Sequence, residues 1–320
     1  MAFDRILVPL DGSQIAEESL THAVRIARAY KSRLYLLQVL DAGSAPSNHR
    51  SEDLDWRLYK IQVMDYLNSA SERLAEEGIE AETHVMEGRA PDQIVHFTRD
   101  WRIDLVVLCT YGWGGVSEFP FGGTVQKVIA TPDTSILVVR PIAGSNLSKQ
   151  YRRILVPVDG SLRAAWAISL VAAMGYDESP EVILLQVVGY PEMPRNRSLT
   201  REETELRDKF VECNRRAAAA YLDDIKKCFA GRLSIRTRLE VSAHVVDTIE
   251  QVADAEDVDL IALTAHGASD GLGRSSGTIC QSVVMLASRP VLVFQDNPFR
   301  YREQSDPPVP EWMERKICAG

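Results

Sequence analysis

Two aspartates stand where a chain can hold a ligand, in Asp11-Gly12-Ser13 and Asp159-Gly160-Ser161. Each follows an apolar run, Ile6-Leu7-Val8-Pro9-Leu10 or Ile154-Leu155-Val156-Pro157-Val158, and precedes a helical pattern. That puts each carboxylate at the carboxyl end of a strand, where open α/β sheets take ligands. Two glycine-rich segments carry a second chemistry. The later one runs from Thr264 through Gly267, Gly271 and Gly273 to Gly277-Thr278, the earlier from Cys109 through Gly112, Gly114 and Gly115 to Gly122-Gly123-Thr124. Glycines let backbone N–H groups approach a ligand closely, and the positive end of a helix opening there favours phosphate oxygens.

Each feature also has a plainer reading. An Asp or Ser at such a turn caps a helix, and glycines permit a tight strand-to-helix link. Two matched copies favour a ligand, as does a link of more than ten residues, which is long for a mere connection. His266 reads as an ordinary loop histidine; Tyr111 takes its place in the earlier segment. Cys109 reads as packing, because no basic neighbour favours its thiolate.

Positioning these groups falls to a duplicated domain, since Arg5–Ser13 returns at Arg153–Ser161, 148 residues later. The chain divides into domains at 1–145 and 151–296, with an extension at 297–320 where Pro307, Pro308 and Pro310 predict an extended arm. Strands are predicted at 5–10, 33–40, 80–86, 104–108 and 135–139, and again at 153–158, 182–188, 233–241, 259–263 and 290–294. Helical spacing covers 15–29, 58–77 and 124–130, a polar loop covers 41–55, and Pro91 lies in the first turn of a further helix. Apolar strands alternating with helices imply α/β domains, each with a five-stranded parallel sheet flanked by helices on both faces. The repeat offset grows from 148 to 155 between the first and fourth strands, a gain that a surface connection absorbs. The Arg215–Ala220 stretch and the charges from Glu202 to Lys209 read as helix with a solvated face.

A net charge of −9 and a pI near 5.3 argue against a broad nucleic-acid or anionic-membrane footprint. With no apolar run of membrane-spanning length and no signal-peptide pattern, the expected compartment is the cytoplasm. Five cysteines without CxxC spacing and six histidines without an HxxxH pair predict neither a disulfide framework nor a metal centre.

The ILVPxDGS strand joined to a glycine loop of the form G-x2-G-x9-G-[S/T] resembles the universal stress protein family, over about residues 1–141 and 151–295. The resemblance implies an adenine-nucleotide α-hydrolase-like, Rossmann-like fold in each half, with ATP held in some members and not in others. It implies that Asp11 and Asp159 border the adenine and ribose, and that Val39 and Val187 offer main-chain groups to the base. Gly112, Gly123 and Thr124, or Gly267, Gly277 and Thr278, would contact phosphates, followed by Val125 and Ile279 at the helix N-terminus. It also implies that the apolar fifth strands pair domains, here within one chain or in a homodimer.

Both loops depart from the family pattern, with Cys109 and Thr264 in the place of its first glycine. Gly267 to Gly277 keeps the nine-residue spacer, whereas Gly112 to Gly123 spans ten and includes Trp113 and Pro120. The second half is therefore the better ATP candidate. The expected function is a cytoplasmic stress-response regulator that binds ATP or a related adenine nucleotide, with or without magnesium, and acts on an unidentified protein partner. A nucleotide-free interaction scaffold is the alternative. An adenylating or pyrophosphatase-type enzyme ranks below both, because a Walker lysine, a carboxylate cluster for magnesium and an SGGxDS-like loop are missing from the sequence.

Overall fold

The computed structural model describes residues 3–41, 54–110, 123–129, 134–140, 151–174, 180–193, 198–267 and 277–295. The first half runs β1 (Arg5–Pro9), α1 (Gln14–Tyr30), β2 (Arg33–Leu40), α2 (Leu54–Glu76), β3 (Ala81–Glu87), α3 (Ala90–Asp100), β4 (Leu105–Cys109), α4 (Gly123–Ile129) and β5 (Ser135–Val139). The second half repeats this as β6 (Arg153–Val158), α5 (Leu162–Ala173), β7 (Glu181–Val188), α6 (Arg201–Cys228), β8 (Ser234–Val241), α7 (Val245–Ala255), β9 (Leu260–Thr264), α8 (Thr278–Leu286) and β10 (Val291–Phe294). The extension from residue 297, with its expected arm, lies outside the described residues.

Local chemistry sets the helix starts. Ser13 and Ser161 cap α1 and α5, a Thr200–Glu203 capping box opens α6, and Pro91 occupies the first turn of α3. Helix α2 begins four residues earlier than its spacing predicts. No breaker interrupts the segment after Leu54, and Trp56 is buried, so the helix extends upstream at the small cost of propagation.

All ten strands form one sheet in the order β3-β2-β1-β4-β5-β10-β9-β6-β7-β8. Every pairing within a half is parallel, and only the junction is antiparallel, with Ile136 opposite Val293, Leu137 opposite Leu292 and Val138 opposite Val291. Leu137 and Leu292 are each other's repeat counterparts, 155 residues apart, so the junction is a two-fold pairing of like with like. The apolar fifth strands thus cover one another's edge inside the chain. Because the junction is antiparallel, the carboxyl ends of the strands in the two halves lie at opposite edges of the sheet.

The core forms two layers. One, under α1, α2, α5 and α6, contains Leu137, Val139, Leu292 and Phe294; the other, under α3, α4, α7 and α8, contains Ile136, Val138, Val291 and Val293. Both layers therefore cross the junction without a break. Phe3 stacks on Phe294 with ring centroids 6.0 Å apart, and the Tyr30 hydroxyl donates to the Leu170 carbonyl at 2.5 Å. Leu292→Ala should lower stability by about 2–5 kcal/mol through the cavity it leaves. Chemical denaturation should show this as a shift of a single transition, whereas two separate transitions would mean that the halves unfold independently.

A buried polar pair also crosses between the halves. His22 of α1 shares a 2.7 Å hydrogen bond through Nδ1 with the hydroxyl of Tyr151, and the Arg25 guanidinium lies 5.1 Å from the Tyr151 ring centroid. Burial, and then the charge of Arg25, holds the His22 imidazole down to about 3. The unfolded chain takes up that proton near pH 6.5, while the folded one refuses it until about pH 3. Stability should therefore decline as pH falls through that interval, and His22→Gln should flatten the decline. Urea midpoints of both proteins between about pH 7.5 and pH 4.5 check this.

Candidate functional site

In each half the strand order reverses direction between the first and fourth strands, β1 and β4 or β6 and β9. This is a topological switch point, the place outside the strand ends where open α/β sheets take ligands. The Asp-Gly-Ser turn forms one side. Asp159 Oδ1 accepts the Ser161 N–H at 3.0 Å and Ser161 Oγ accepts the Ala164 N–H at 3.2 Å. Gly160 adopts φ +83°, which a side chain would strain. The first half repeats the turn, with Ser13 N–H to Asp11 Oδ1 at 3.0 Å and Ala16 N–H to Ser13 Oγ at 3.1 Å.

The capping reading of these residues therefore holds in both copies, but it uses only one oxygen of each aspartate. The other oxygen of Asp159 faces the glycine segment. A Cβ added to Gly267 would lie 2.6 Å from Asp159 Oδ2, so the loop backbone passes directly over the carboxylate. Two motifs 108 residues apart thus meet at one point. The far end of the segment returns there as well: Ala265 N–H donates to Phe294 O at 2.8 Å, and Gly277 N–H donates to Ala265 O at 2.6 Å. That bond sets the N-terminus of α8 beside the end of β9, with no side-chain cap from Gly277. Thr264, which stands where the family motif has a glycine, turns its hydroxyl onto the loop itself and donates to His266 O at 2.8 Å.

A cavity of about 430 Å³ opens beside the turn, lined by Gly160, Gln186, Val187 and Tyr221 among others. Val187 thus borders open space next to Gly160, and Val39 is its partly buried counterpart in the first half. Thr278 and Ile279 are exposed at the start of α8, while Cys280 is buried. Gly112 and residues 268–276 lie outside the described residues. Among the described residues no group of three His, Cys, Asp or Glu side chains is arranged to hold a metal ion, and Cys109, Cys213, Cys228 and Cys280 are not in disulfides.

The first half differs in its helix register. Helix α4 begins at Gly123 and α8 at Thr278, 155 residues apart, the same offset that relates β4 to β9 and β5 to β10. Burial agrees, since Val125 and Val128 face the core as Cys280 and Val283 do. Gly123 is accordingly the counterpart of Thr278, and of Gly277 only in the register first read from the sequence. The motif's nine-residue spacer then runs from Gly112 to Gly122, and the hydroxyl that Thr278 supplies has no equivalent at Gly123. Val125 sends its side chain into the core, which leaves only its main chain for a ligand. Thr110, where the second half has Ala265, is buried with a hydroxyl that lacks a hydrogen-bond partner among the described residues.

Sequence reasoning passed over two matched pairs. Tyr66 and Tyr221 stand beside the aspartates on α2 and α6. Burial, followed by the Glu17 charge for Tyr66 and the Asp159 charge for Tyr221, pushes both phenols above their ordinary range. The Tyr221 hydroxyl donates to Ser161 O at 3.2 Å. Gln38 and Gln186 lie under the two Asp-Gly-Ser turns, and a polar residue repeated amid apolar residues in the interior of two strands was the available signal.

Two doubly wound α/β units, each with a switch point between its first and fourth strands, make this a duplicated Rossmann-like protein. The chain belongs to the universal stress protein family, whose sequence pattern matches residues 2–140 and again residues 150–295. A universal stress protein of Methanocaldococcus jannaschii is 28% identical over 141 residues, 43% of this chain and 82% of its own length. One from Bacillus subtilis is 26% identical over 148 residues, covering 43% of this chain and 99% of its own length. Among solved structures, a universal stress protein from Archaeoglobus fulgidus has a TM-score of 0.63 at 14% identity, covering 92% of this chain and 97% of its own. A putative one from Pseudomonas aeruginosa has a TM-score of 0.61 at 17% identity, with 92% and 94% covered. These two likenesses extend the shared fold over both halves. No helix among the described residues is long and apolar enough to cross a membrane.

Gly267→Ala forces the new methyl against Asp159 and should destabilise the protein by about 1–3 kcal/mol. Gly189→Ala, with nothing within 4 Å of the added carbon, should leave it nearly unchanged. Thermal melts of the two variants beside the parent chain check the contrast.

Proposed function

We propose that the protein binds ATP or a related adenine nucleotide in the crevice of its second half and acts as a stress-linked regulator in the cytoplasm. The observation that carries this reading is the closure of the Gly267 backbone on Asp159. It joins an acceptor suited to ribose hydroxyls to a glycine segment whose far end opens a helix. Thr278 and the first turn of α8 are suited to phosphate oxygens, and the cavity beside Gly160 and Val187 has room for a base. Binding regulates a partner only where the nucleotide prefers one conformation of the protein.

We assign no catalytic residue. Asp159 is engaged by the Ser161 amide and by the loop, and no described side chain stands as a base for an attacking water. The first half is the weaker site, because Gly123 lacks the Thr278 hydroxyl. A homodimer would have to use another surface than the fifth strands, which already cover each other. The interaction-scaffold reading draws on Leu54, Leu58, Ile61 and Met64, an exposed apolar row along α2.

Calorimetric titration of the full chain with ATP and magnesium tests the proposal. One saturable site per chain is expected, weakened about tenfold or more by Asp159→Asn, which removes a charged acceptor, and unaffected by Asp11→Asn. Gly277→Val should abolish it, and ATP should stay intact over hours of incubation. Absence of any saturable heat would leave the scaffold as the better account.

A further inference from the structure

A glutamine recurs at one place in both halves, amid apolar residues in the interior of a strand: Leu36-Leu37-Gln38-Val39 in β2 and Leu184-Leu185-Gln186-Val187 in β7. Gln38 is 5% exposed, and the Oε1 atoms of both residues are buried with no hydrogen-bond partner among the described residues. Each amide nitrogen lies 3.9 Å from where a Cβ would stand on Gly12 or Gly160. Both amides therefore sit directly under an Asp-Gly-Ser turn. In the second half that amide also lines the 430 Å³ cavity, next to Val187 and Tyr221. The Tyr221 hydroxyl is committed to Ser161 O and does not serve it.

An amide withdrawn from water with its acceptor unmatched destabilises a fold, and buried polar groups are rarely left that way. Its recurrence in two halves whose glycine loops differ points to a partner outside the protein. A half-turn about the last side-chain torsion brings either edge of the amide to the cavity, because that torsion is broad and two-fold. A carboxamide can pair at once with the exocyclic amine and N7 of adenine, whereas a 6-oxo purine presents acceptors at both positions.

We propose that Gln186 reads the base in the second crevice and selects a 6-amino over a 6-oxo purine. The inference rests on the adenine-nucleotide reading above and adds a specificity-determining side chain to it. The experiment titrates the full chain with ATP and with inosine triphosphate, which has the same sugar and phosphates but a 6-oxo base. The parent protein should favour ATP by about tenfold or more, and Gln186→Met, which keeps the length and removes the amide, should bring the two affinities within about twofold. Gln186→Leu should do the same. The ligand-free Gln186→Met chain should unfold at the same temperature as the parent or higher, because it loses an unmatched buried acceptor; this separates lost base reading from lost fold. A variant that keeps the ATP preference, or a parent that binds both nucleotides equally, overturns the role of Gln186 and leaves nucleotide binding intact. A parent that binds neither overturns both.

Discussion

The hydrogen-bonded row of Ile136–Val138 against Val291–Val293 turns two five-stranded sheets into one of ten. Each fifth strand would otherwise be an apolar edge open to association with other chains, and each is buried here by its own repeat. Because the two strands meet antiparallel and in two-fold register, Leu137 meets its own counterpart Leu292, while Ile136 and Val138 each meet the counterpart of the other. Alternation along the strands then sends Leu137 and Leu292 to one face and Val138 and Val291 to the other. The core layers thereby become common property of both halves. The same antiparallel step turns the two switch points to opposite edges of the sheet.

Within that frame the second crevice is built from backbone more than from side chains. Asp159 is held by its own turn, and the glycine segment reaches it because β9 lies beside β6 and carries Gly267 to the switch point. A Cβ at Gly267 would stand 2.6 Å from Asp159 Oδ2, so any side chain there must displace that carboxylate from its place over the turn. Gly277, at φ −75°, has no such conformational demand; its N–H bonds Ala265 O and brings the helix start home, and its lack of a side chain keeps that start open to close approach. The first half uses the same topology with different contents: Thr110 for Ala265, Gly123 for Thr278. Duplication has preserved the scaffold that positions a site more strictly than the groups that would fill it.

The polar groups buried between and beneath these elements divide by their satisfaction. His22 and Tyr151 complete one another across the two halves, which makes their burial compatible with stability while the imidazole stays neutral. Gln38 and Gln186 have an acceptor that the described protein does not satisfy, in a strand position where leucine would pack without cost.

Much of this was legible in the chain. Runs such as Ile154–Val158 are apolar enough to be buried on both faces, and Ser13 and Ser161 carry their capping chemistry locally, so strands, helix starts and the duplication follow from residue type and spacing. What local chemistry does not contain is distance between remote segments. The one-residue register of α4 against α8 emerged from burial, since glycines at both 122 and 123 make the spacing ambiguous in the sequence alone. The upstream turn of α2 was hidden because Leu54 and Trp56 are its only apolar residues, too few to mark a helical spacing after a polar segment. Sequence by itself determined the doubled α/β domain and the identity of the groups at each strand end. Tertiary structure decided that Gly267 closes on Asp159, that an amide lies beneath each turn and that the halves join through their fifth strands, because each depends on which strands become neighbours in the sheet.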